Sequence, residues 1–189
     1  MAMTPSNMPE LGIPAPYFSL PDTAGNRVSR DDFTNSPALL VAFWCNGCPF
    51  VKHLRKAFVE LAHNYQDRGL AVVAINANDA DNYPDDSPEA MRAAAEEFGY
   101  GFAYLYDEDQ SVARAYTAAC TPDFFLYDAD RRLVYRGQFD ASRPGNDLPV
   151  DGRDLRAAID ATLAGELPDT EQLPSIGCNI KWKPGNAPA

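Results

Sequence analysis

The chain has 189 residues, of which 46% are hydrophobic and 11% aromatic, enough apolar material for one well-packed domain and too much for a chain that is mainly disordered. Its formal net charge of −11 comes from 16 Lys and Arg against 27 Asp and Glu, so the chain repels phosphate backbones and nucleic acid is excluded as a partner class. The longest apolar run, residues 38–44, is too short to cross a membrane, and the first residues show no leader, so we expect a cytoplasmic protein with no membrane partner.

The first half of the chain predicts a hairpin followed by a strand–helix–strand unit. Two short strands are predicted over residues 17–20 and 27–29, around a polar turn. Residues 39–44 and 70–75 are continuously apolar and of strand length, which is typical of strands buried on both faces of a sheet. The segment between them predicts a helix with one apolar stripe, because apolar residues recur there at steps of three and four. These stripe residues are Val51, Leu54, Phe58, Leu61 and Tyr65.

The second half predicts shorter elements. Ser87 and Pro88 are typical of a helix start, and further helices are expected over residues 110–119 and 152–164, the last with Asp151 as its N-cap. A short strand is expected over residues 102–106, and residues 124–127 and 133–136 predict an antiparallel hairpin. Ten carboxylates and a single basic residue lie in residues 78–109, and we interpret this segment as a solvated face. The spacing of its acidic residues is not that of a calcium-binding loop.

Composition changes after residue 165. We therefore divide the chain into a domain over residues 1–165 and a Pro- and Gly-rich tail over residues 166–189. Apolar residues alternate with small or polar ones from Ile176 to Trp182, which predicts a strand-like anchor that packs onto the domain.

The chain has four cysteines, Cys45, Cys48, Cys120 and Cys178, and the first two are spaced C-x-x-C between a predicted strand and a predicted helix. A helix N-terminus stabilises a thiolate, so this position predicts an exposed attacking thiolate at Cys45 and a partly buried resolving thiol at Cys48. Lys52, four residues further on, adds positive potential. A pair of buried small residues or half a zinc site are the alternatives, but there is no second ligand pair, so we expect no metal and no cofactor.

Residues 43–49, with the C-x-x-C motif, resemble the active-site turn of the thioredoxin superfamily, and residues 15–22 resemble its redoxin branch, which includes peroxiredoxins and TlpA-like thioredoxins. Residues 75–79 and 176–182 are similar to a peroxiredoxin-like subgroup. The resemblance covers nearly the whole chain. It implies an α/β thioredoxin-like fold: a central mixed sheet flanked by helices, an N-terminal hairpin and an ordered C-terminal tail.

The resemblance also implies roles for residues outside the motif. Pro122 would be a cis-proline facing the dithiol, Thr121 would offer a free backbone N–H to an extended substrate, and Trp44 would flank the site. Two departures stand out: Leu39 occupies the position of the buried aspartate of thioredoxin, and neither cysteine of the motif has the Pro and Thr of the peroxiredoxin motif at the required spacing. The proton acceptor is therefore unidentified, and efficient peroxidase activity is disfavoured.

Three further residues have open roles. Arg136 is a possible peroxide-binding guanidinium or an ordinary exposed strand arginine. Cys120, two residues before the proline, is interpreted as a packing residue rather than a third redox thiol. For Cys178, burial in the tail is the default, and a resolving role or a Cys120–Cys178 bridge is a hypothesis.

The leading hypothesis is a thiol–disulfide oxidoreductase that uses Cys45 and Cys48. Its partners would be a protein or small-molecule disulfide and an unidentified reductant, and the chain would act as a monomer or weak dimer. A peroxiredoxin-like thiol peroxidase is the alternative enzyme. A soft-metal or thiol-dependent binding module is the alternative outside enzymes.

Overall fold

The two apolar runs form neighbouring strands at the centre of a sheet in the computed structural model, which describes residues 3–189. The strands of this part of the chain are β1 (Met3–Pro5), β2 (Ser19–Pro21), β3 (Arg27–Ser29), β4 (Ala38–Phe43), β5 (Leu70–Asn76), β6 (Ala103–Tyr106), β7 (Cys120–Thr121), β8 (Asp123–Tyr127), β9 (Leu133–Gly137) and β10 (Ile176–Asn179). The α-helices are α1 (Pro49–Gln66), α2 (Pro88–Phe98), α3 (Ser111–Ala115) and α4 (Arg153–Leu163). None of these helices is long and apolar enough to span a bilayer.

The central sheet has five strands in the order β6-β5-β4-β8-β9. β4, β5 and β6 are parallel, while β8 and β9 run antiparallel to their neighbours. Every residue of β4 and β5 is buried, because both faces of the sheet are covered. Apolar residues of α1, α2 and α4 pack on one face, and those of the β2–β3 hairpin and α3 pack on the other. The expected thioredoxin-like mixed α/β architecture with an N-terminal hairpin is confirmed.

A second sheet has three strands, which come from the beginning, the middle and the end of the described chain. Its order is β1-β10-β7, and both pairings are antiparallel. In this register Cys178 of β10 lies opposite Thr121 of β7. Gly177 makes the close approach possible, because a Cβ at this residue would lie 2.0 Å from the Thr121 carbonyl oxygen. The tail is thus an ordered part of the fold that lies next to Thr121.

Three predictions from the sequence differ from the structure. α3 ends well before residue 119, because Thr117 has a φ of 54° and the chain then enters β7. The N-cap of α4 is Gly152 rather than Asp151, and the backbone N–H groups of both residues donate to the buried carboxylate of Asp140. The acidic segment is not a purely solvated face either, since Asp79, Asp86 and Asp107 are buried.

Candidate active site

The C-x-x-C turn lies where β4 ends and α1 begins. Cys48 is the N-cap residue of α1 and Pro49 occupies its first turn, where a missing N–H costs no helical hydrogen bond. Both cysteines are buried, with 2% of Cys45 and 4% of Cys48 exposed. The expected exposed thiolate at Cys45 is therefore not present in this conformation.

Asn46, between the two cysteines, is held from four directions. Its backbone N–H donates to Asp86 Oδ1 at 2.8 Å, and its carbonyl oxygen accepts from Arg55 at 2.9 Å. Its side-chain amide donates to the carbonyl oxygen of Asp85 at 2.7 Å, and its side-chain oxygen accepts from the Tyr104 hydroxyl at 2.9 Å. These contacts fix the turn that presents the two thiols.

Asp86 is the buried centre of this support. Its carboxylate also accepts from the side-chain amides of Asn76 at 3.0 Å and Asn78 at 2.9 Å. Nothing in the sequence pattern separates Asp86 from the exposed acids around it. The one feature of the sequence that indicates a buried acceptor here is the pair Asn76 and Asn78 at the end of an apolar strand, because side-chain amides need hydrogen-bond partners when they are buried.

Thr121 contacts both thiols. The Cys45 sulfur lies 3.2 Å from Thr121 Oγ1, and the Cys48 thiol donates to the Thr121 carbonyl oxygen at 3.2 Å. The Thr121–Pro122 peptide bond is cis, as the resemblance implied. Both sulfurs therefore lie beside the same residue.

The pKa of the Cys48 thiol is held well below its usual range. The largest cause is a hydrogen bond from the Cys45 thiol, which stabilises the Cys48 anion; the Cys178 thiol and the backbone amides of Val51 and Cys178 stabilise it further, against the cost of burial. Val51 lies in the first turn of α1, so its amide contributes the positive end of the helix. These contacts favour the Cys48 thiolate, whereas the Thr121 carbonyl oxygen that accepts from Cys48 favours the thiol.

Cys45 has the opposite environment. Its hydrogen bond to Cys48, its burial and the negative charge of Asp86 all raise the pKa of its thiol. Of the two coupled thiols, Cys48 therefore has the lower pKa and Cys45 the higher one.

The backbone edge of Thr121 is occupied by the tail. The expectation of a free N–H at this residue for an extended substrate is wrong, because β10 pairs with β7 here and places Cys178 opposite Thr121. Cys178 and Cys48 line the same cavity, and the Cys178 thiol contributes to the lowered pKa of Cys48. Sequence reasoning placed Cys178 in the tail but had no signal for its position against the motif, since the pairing joins residues far apart in the chain.

A cavity of about 290 Å³ opens beside the thiols. The residues that line it include Cys45, Cys48 and Cys178, together with Tyr83, Asp86 and Lys181. Within residues 3–189, no group of three or more His, Cys, Asp or Glu side chains is arranged to hold a metal ion.

Three of the other predicted site residues lie away from this cavity. Trp44 is fully buried, and its ring packs against that of Phe58 with the centroids 4.7 Å apart. Its indole N–H donates to the Tyr100 hydroxyl at 3.0 Å, so Trp44 supports the site from the core rather than flanking it. Lys52 is exposed and lines a separate groove. Arg136 is bound to the carbonyl oxygen of Pro9 and the side chain of Gln172, so the structure does not bring its guanidinium to the thiols.

Two buried groups lie behind the site. The Cys120 thiol is fully buried and donates to the Pro122 carbonyl oxygen at 3.6 Å, and burial raises the pKa of this thiol far above its usual range. Asp123 follows Pro122 directly and is also fully buried, which raises the pKa of its carboxyl to about 7. Its Oδ1 atom has no hydrogen-bond partner among the described residues. Sequence reasoning did not identify Asp123, because it lies in an apolar strand with no accompanying motif.

Comparison with known proteins gives one family match: a model of the AhpC/TSA family matches residues 11–136. Among curated relatives, a thiol-disulfide oxidoreductase ResA of Bacillus subtilis is 27% identical over 128 residues, which are 65% of this chain and 64% of that protein. The chain thus spans less than two thirds of the length of this relative.

Solved structures include two with much higher similarity. A hypothetical protein from Sinorhizobium meliloti is 57% identical, with a TM-score of 0.95, over 96% of this chain and 100% of that one. An uncharacterized conserved protein from Geobacillus kaustophilus is 53% identical, with a TM-score of 0.96, over 98% of both chains. A putative thiol:disulfide interchange protein DsbE from Chlorobium tepidum, 24% identical with a TM-score of 0.64 over 82% of this chain and 98% of that one, shares the fold.

Proposed function

The chain belongs to the AhpC/TSA family, and from this premise we propose that it is a thiol–disulfide oxidoreductase that works through Cys45 and Cys48. The observation that carries the proposal is the placement of the two thiols at the N-terminus of α1, where each sulfur lies 3.2 Å from an atom of Thr121 and both cysteines line a cavity. The names of the ResA relatives support the same class of activity.

The proposed reaction has two exchange steps. The Cys48 thiolate attacks one sulfur of a substrate disulfide, so that a Cys48–substrate bond forms and the other substrate sulfur leaves as a thiolate. Cys45 then gives up its proton, attacks the Cys48 sulfur and releases the second substrate thiolate. The substrate disulfide gains two electrons, which the two cysteine sulfurs lose; of its two protons, one comes from the Cys45 thiol and the other from solvent, which received the Cys48 proton when that thiol ionised.

Cys48 is the proposed nucleophile, which reverses the order expected from the sequence. The exchange rate depends on the fraction of attacking sulfur present as thiolate, and the contacts of the pair favour the anion on Cys48. Loss of the negative charge on Cys48 in the first step removes the hydrogen bond that holds the Cys45 proton. The second step therefore becomes easier once the first is complete.

The proposed substrate is a low-molecular-weight disulfide. β10 occupies the backbone edge of Thr121 that an extended protein segment would use, while the cavity of about 290 Å³ leaves room for a small molecule beside the sulfurs. The proposed reductant is a thiol of the reducing cytoplasm, which would return the Cys45–Cys48 disulfide to the dithiol. Cell fractionation against a compartment marker tests the location.

The test is a comparison of cysteine variants reacted with oxidised glutathione at pH 6, quenched with acid and read by intact mass. Wild type should release glutathione and form an internal disulfide, and Cys45→Ser should still form a glutathione adduct on Cys48. Cys48→Ser should react at least about tenfold more slowly, because the remaining thiol is protonated. Cys120→Ser is the matched control and should behave as wild type.

Two results would count against this scheme. A fast adduct on Cys45 in Cys48→Ser, with none on Cys48 in Cys45→Ser, would restore the order expected from the sequence. No reaction in wild type would contradict the oxidoreductase proposal as a whole.

Thiol peroxidase activity is the second candidate, favoured by the stabilised Cys48 thiolate on a cavity. In this reaction the thiolate would attack a peroxide oxygen and become a sulfenic acid, with water or an alcohol leaving. The position of Arg136 away from the cavity speaks against it. Peroxide consumption measured with wild type and Cys48→Ser distinguishes the two candidates.

A further inference from the structure

Cys48 has two thiol neighbours, although its sequence motif supplies only one. Cys45 lies in the preceding turn, and Cys178 lies on β10 opposite Thr121, the residue whose carbonyl oxygen contacts the Cys48 sulfur. All three cysteines line the same cavity, so a substrate sulfur bound to Cys48 would lie beside both neighbours.

The position of Cys178 is set by backbone pairing rather than by a flexible side chain. Cys178 lies opposite Thr121, whose carbonyl oxygen is 3.2 Å from the Cys48 sulfur. The neighbouring pairs continue the register on both sides, since Gly177 pairs with Thr4 and Asn179 with Cys120. A thiol held in this way contacts Cys48 without loss of chain entropy at the moment of reaction.

The charges around the two neighbours differ in a way that matters for the second exchange step. Asp86 and Lys181 line the same cavity as the cysteines. The negative charge of Asp86 opposes formation of the Cys45 thiolate, and the positive charge of Lys181 favours formation of the Cys178 thiolate. Once Cys48 is bonded to a substrate sulfur and has lost its charge, burial is what still opposes ionisation of Cys178, and Lys181 acts against that cost.

We propose that Cys178 is a third exchanging thiol, which displaces the substrate sulfur from Cys48 and forms a Cys48–Cys178 disulfide. The inference rests on the proposed attack of Cys48 on a small disulfide. The Cys178 sulfur bonds to the Cys48 sulfur, the Cys48–substrate bond breaks, and the substrate sulfur leaves with the electron pair of that bond. The proton of Cys178 passes to the leaving thiolate or to solvent. Over both steps the substrate gains two electrons, which Cys48 and Cys178 lose; one of its two protons comes from Cys178 and the other from solvent, which received the Cys48 proton when that thiol ionised.

The test uses reduced Cys45→Ser, in which Cys178 is the remaining thiol neighbour, and oxidised glutathione as the probe. Acid-quenched time points are analysed by intact mass and by peptide mapping without reduction. We expect a transient adduct on Cys48 followed by a Cys48–Cys178 disulfide. The double variant Cys45→Ser/Cys178→Ser should keep the adduct at least about tenfold longer, because no adjacent thiol displaces it.

Two further variants separate thiol chemistry from the fit of the tail. Cys45→Ser/Cys178→Ala keeps the buried site apolar and should preserve the long-lived adduct, whereas Cys45→Ser/Cys120→Ser should behave as Cys45→Ser. Equal adduct lifetimes with and without the Cys178 thiol would overturn the inference and leave the proposed function standing. If no adduct forms on Cys48 in any variant, the proposed function fails and the inference with it.

Discussion

Gly177 is the residue that allows the tail to lie against the site, so Gly177→Ala is a direct test of this arrangement. A Cβ at this residue would lie 2.0 Å from the Thr121 carbonyl oxygen and 2.6 Å from its carbonyl carbon, where ordinary contacts begin at 3.4 Å. Because these are backbone atoms, β10 must retreat by about 1 Å or more, which strains its pairing with β7. Overpacking of this kind costs about 1–3 kcal/mol, and each weakened backbone hydrogen bond adds about 0.5–1.5 kcal/mol.

We therefore expect Gly177→Ala to lower the free energy of unfolding by about 2–4 kcal/mol. With an m-value of about 2 kcal/mol/M, the urea midpoint should fall by about 1–2 M. Gly47→Ala is the matched control, because an added Cβ there meets no heavy atom within 4 Å and its midpoint should stay near that of wild type. Alkylation of Cys178 under native conditions should also become faster in Gly177→Ala only. An unchanged midpoint together with unchanged alkylation would refute the close contact between β10 and Thr121.

Three other substitutions give separate tests. Asp123 has a folded-state pKa of about 7, above the unfolded value of about 3.9, so its contribution to stability is complete below pH 4 and is lost as the pH rises to 7. Asp123→Asn should remove this pH dependence, which amounts to a loss of about 3–4 kcal/mol in wild type across this window. Urea midpoints that change in parallel for variant and wild type from pH 4 to 8 would contradict this. Asp86→Asn removes a negative charge that opposes ionisation of Cys45, so the pH midpoint for alkylation of Cys45, measured in a Cys48→Ser background, should fall. An unchanged midpoint would contradict an electrostatic effect of Asp86 on this thiol. Arg136→Gln should leave the rate of the glutathione reaction unchanged, since the guanidinium is bound to the N-terminal segment and the tail, and a tenfold loss would place it in the reaction after all.

The central sheet and its helices were predictable because their signals are local. The run of buried residues in β4 has no polar alternation, and the stripe that begins at Val51 has a clear helical period, so both elements follow from a few neighbouring residues. The start of α2 was equally local: Ser87 is its N-cap and accepts the backbone N–H of Ala90 at 3.2 Å.

The arrangement around the dithiol was predictable only in part. The motif indicates two thiols at a helix start, and Cys48 does lie at the N-cap of α1. Which sulfur carries the charge depends on Asp86 and Cys178, which reach the motif from distant parts of the chain. Trp44 shows the same limit, because its burial against Phe58 is decided by the packing of α1 on the sheet rather than by its place beside a cysteine.

The order of the elements along the chain has a consequence for biosynthesis. The dithiol lies directly before α1, whereas β10, which covers the Thr121 edge beside it, follows every other described helix and strand along the chain and is therefore synthesised after them. At a translation rate of roughly 5–20 residues per second, the nascent chain spends several seconds with its C-x-x-C motif made and the covering strand not yet made. During this interval Cys45 and Cys48 meet the surrounding thiol pool without the enclosure that the finished fold provides, so the redox state of the nascent site is set by its compartment before it is set by its own structure.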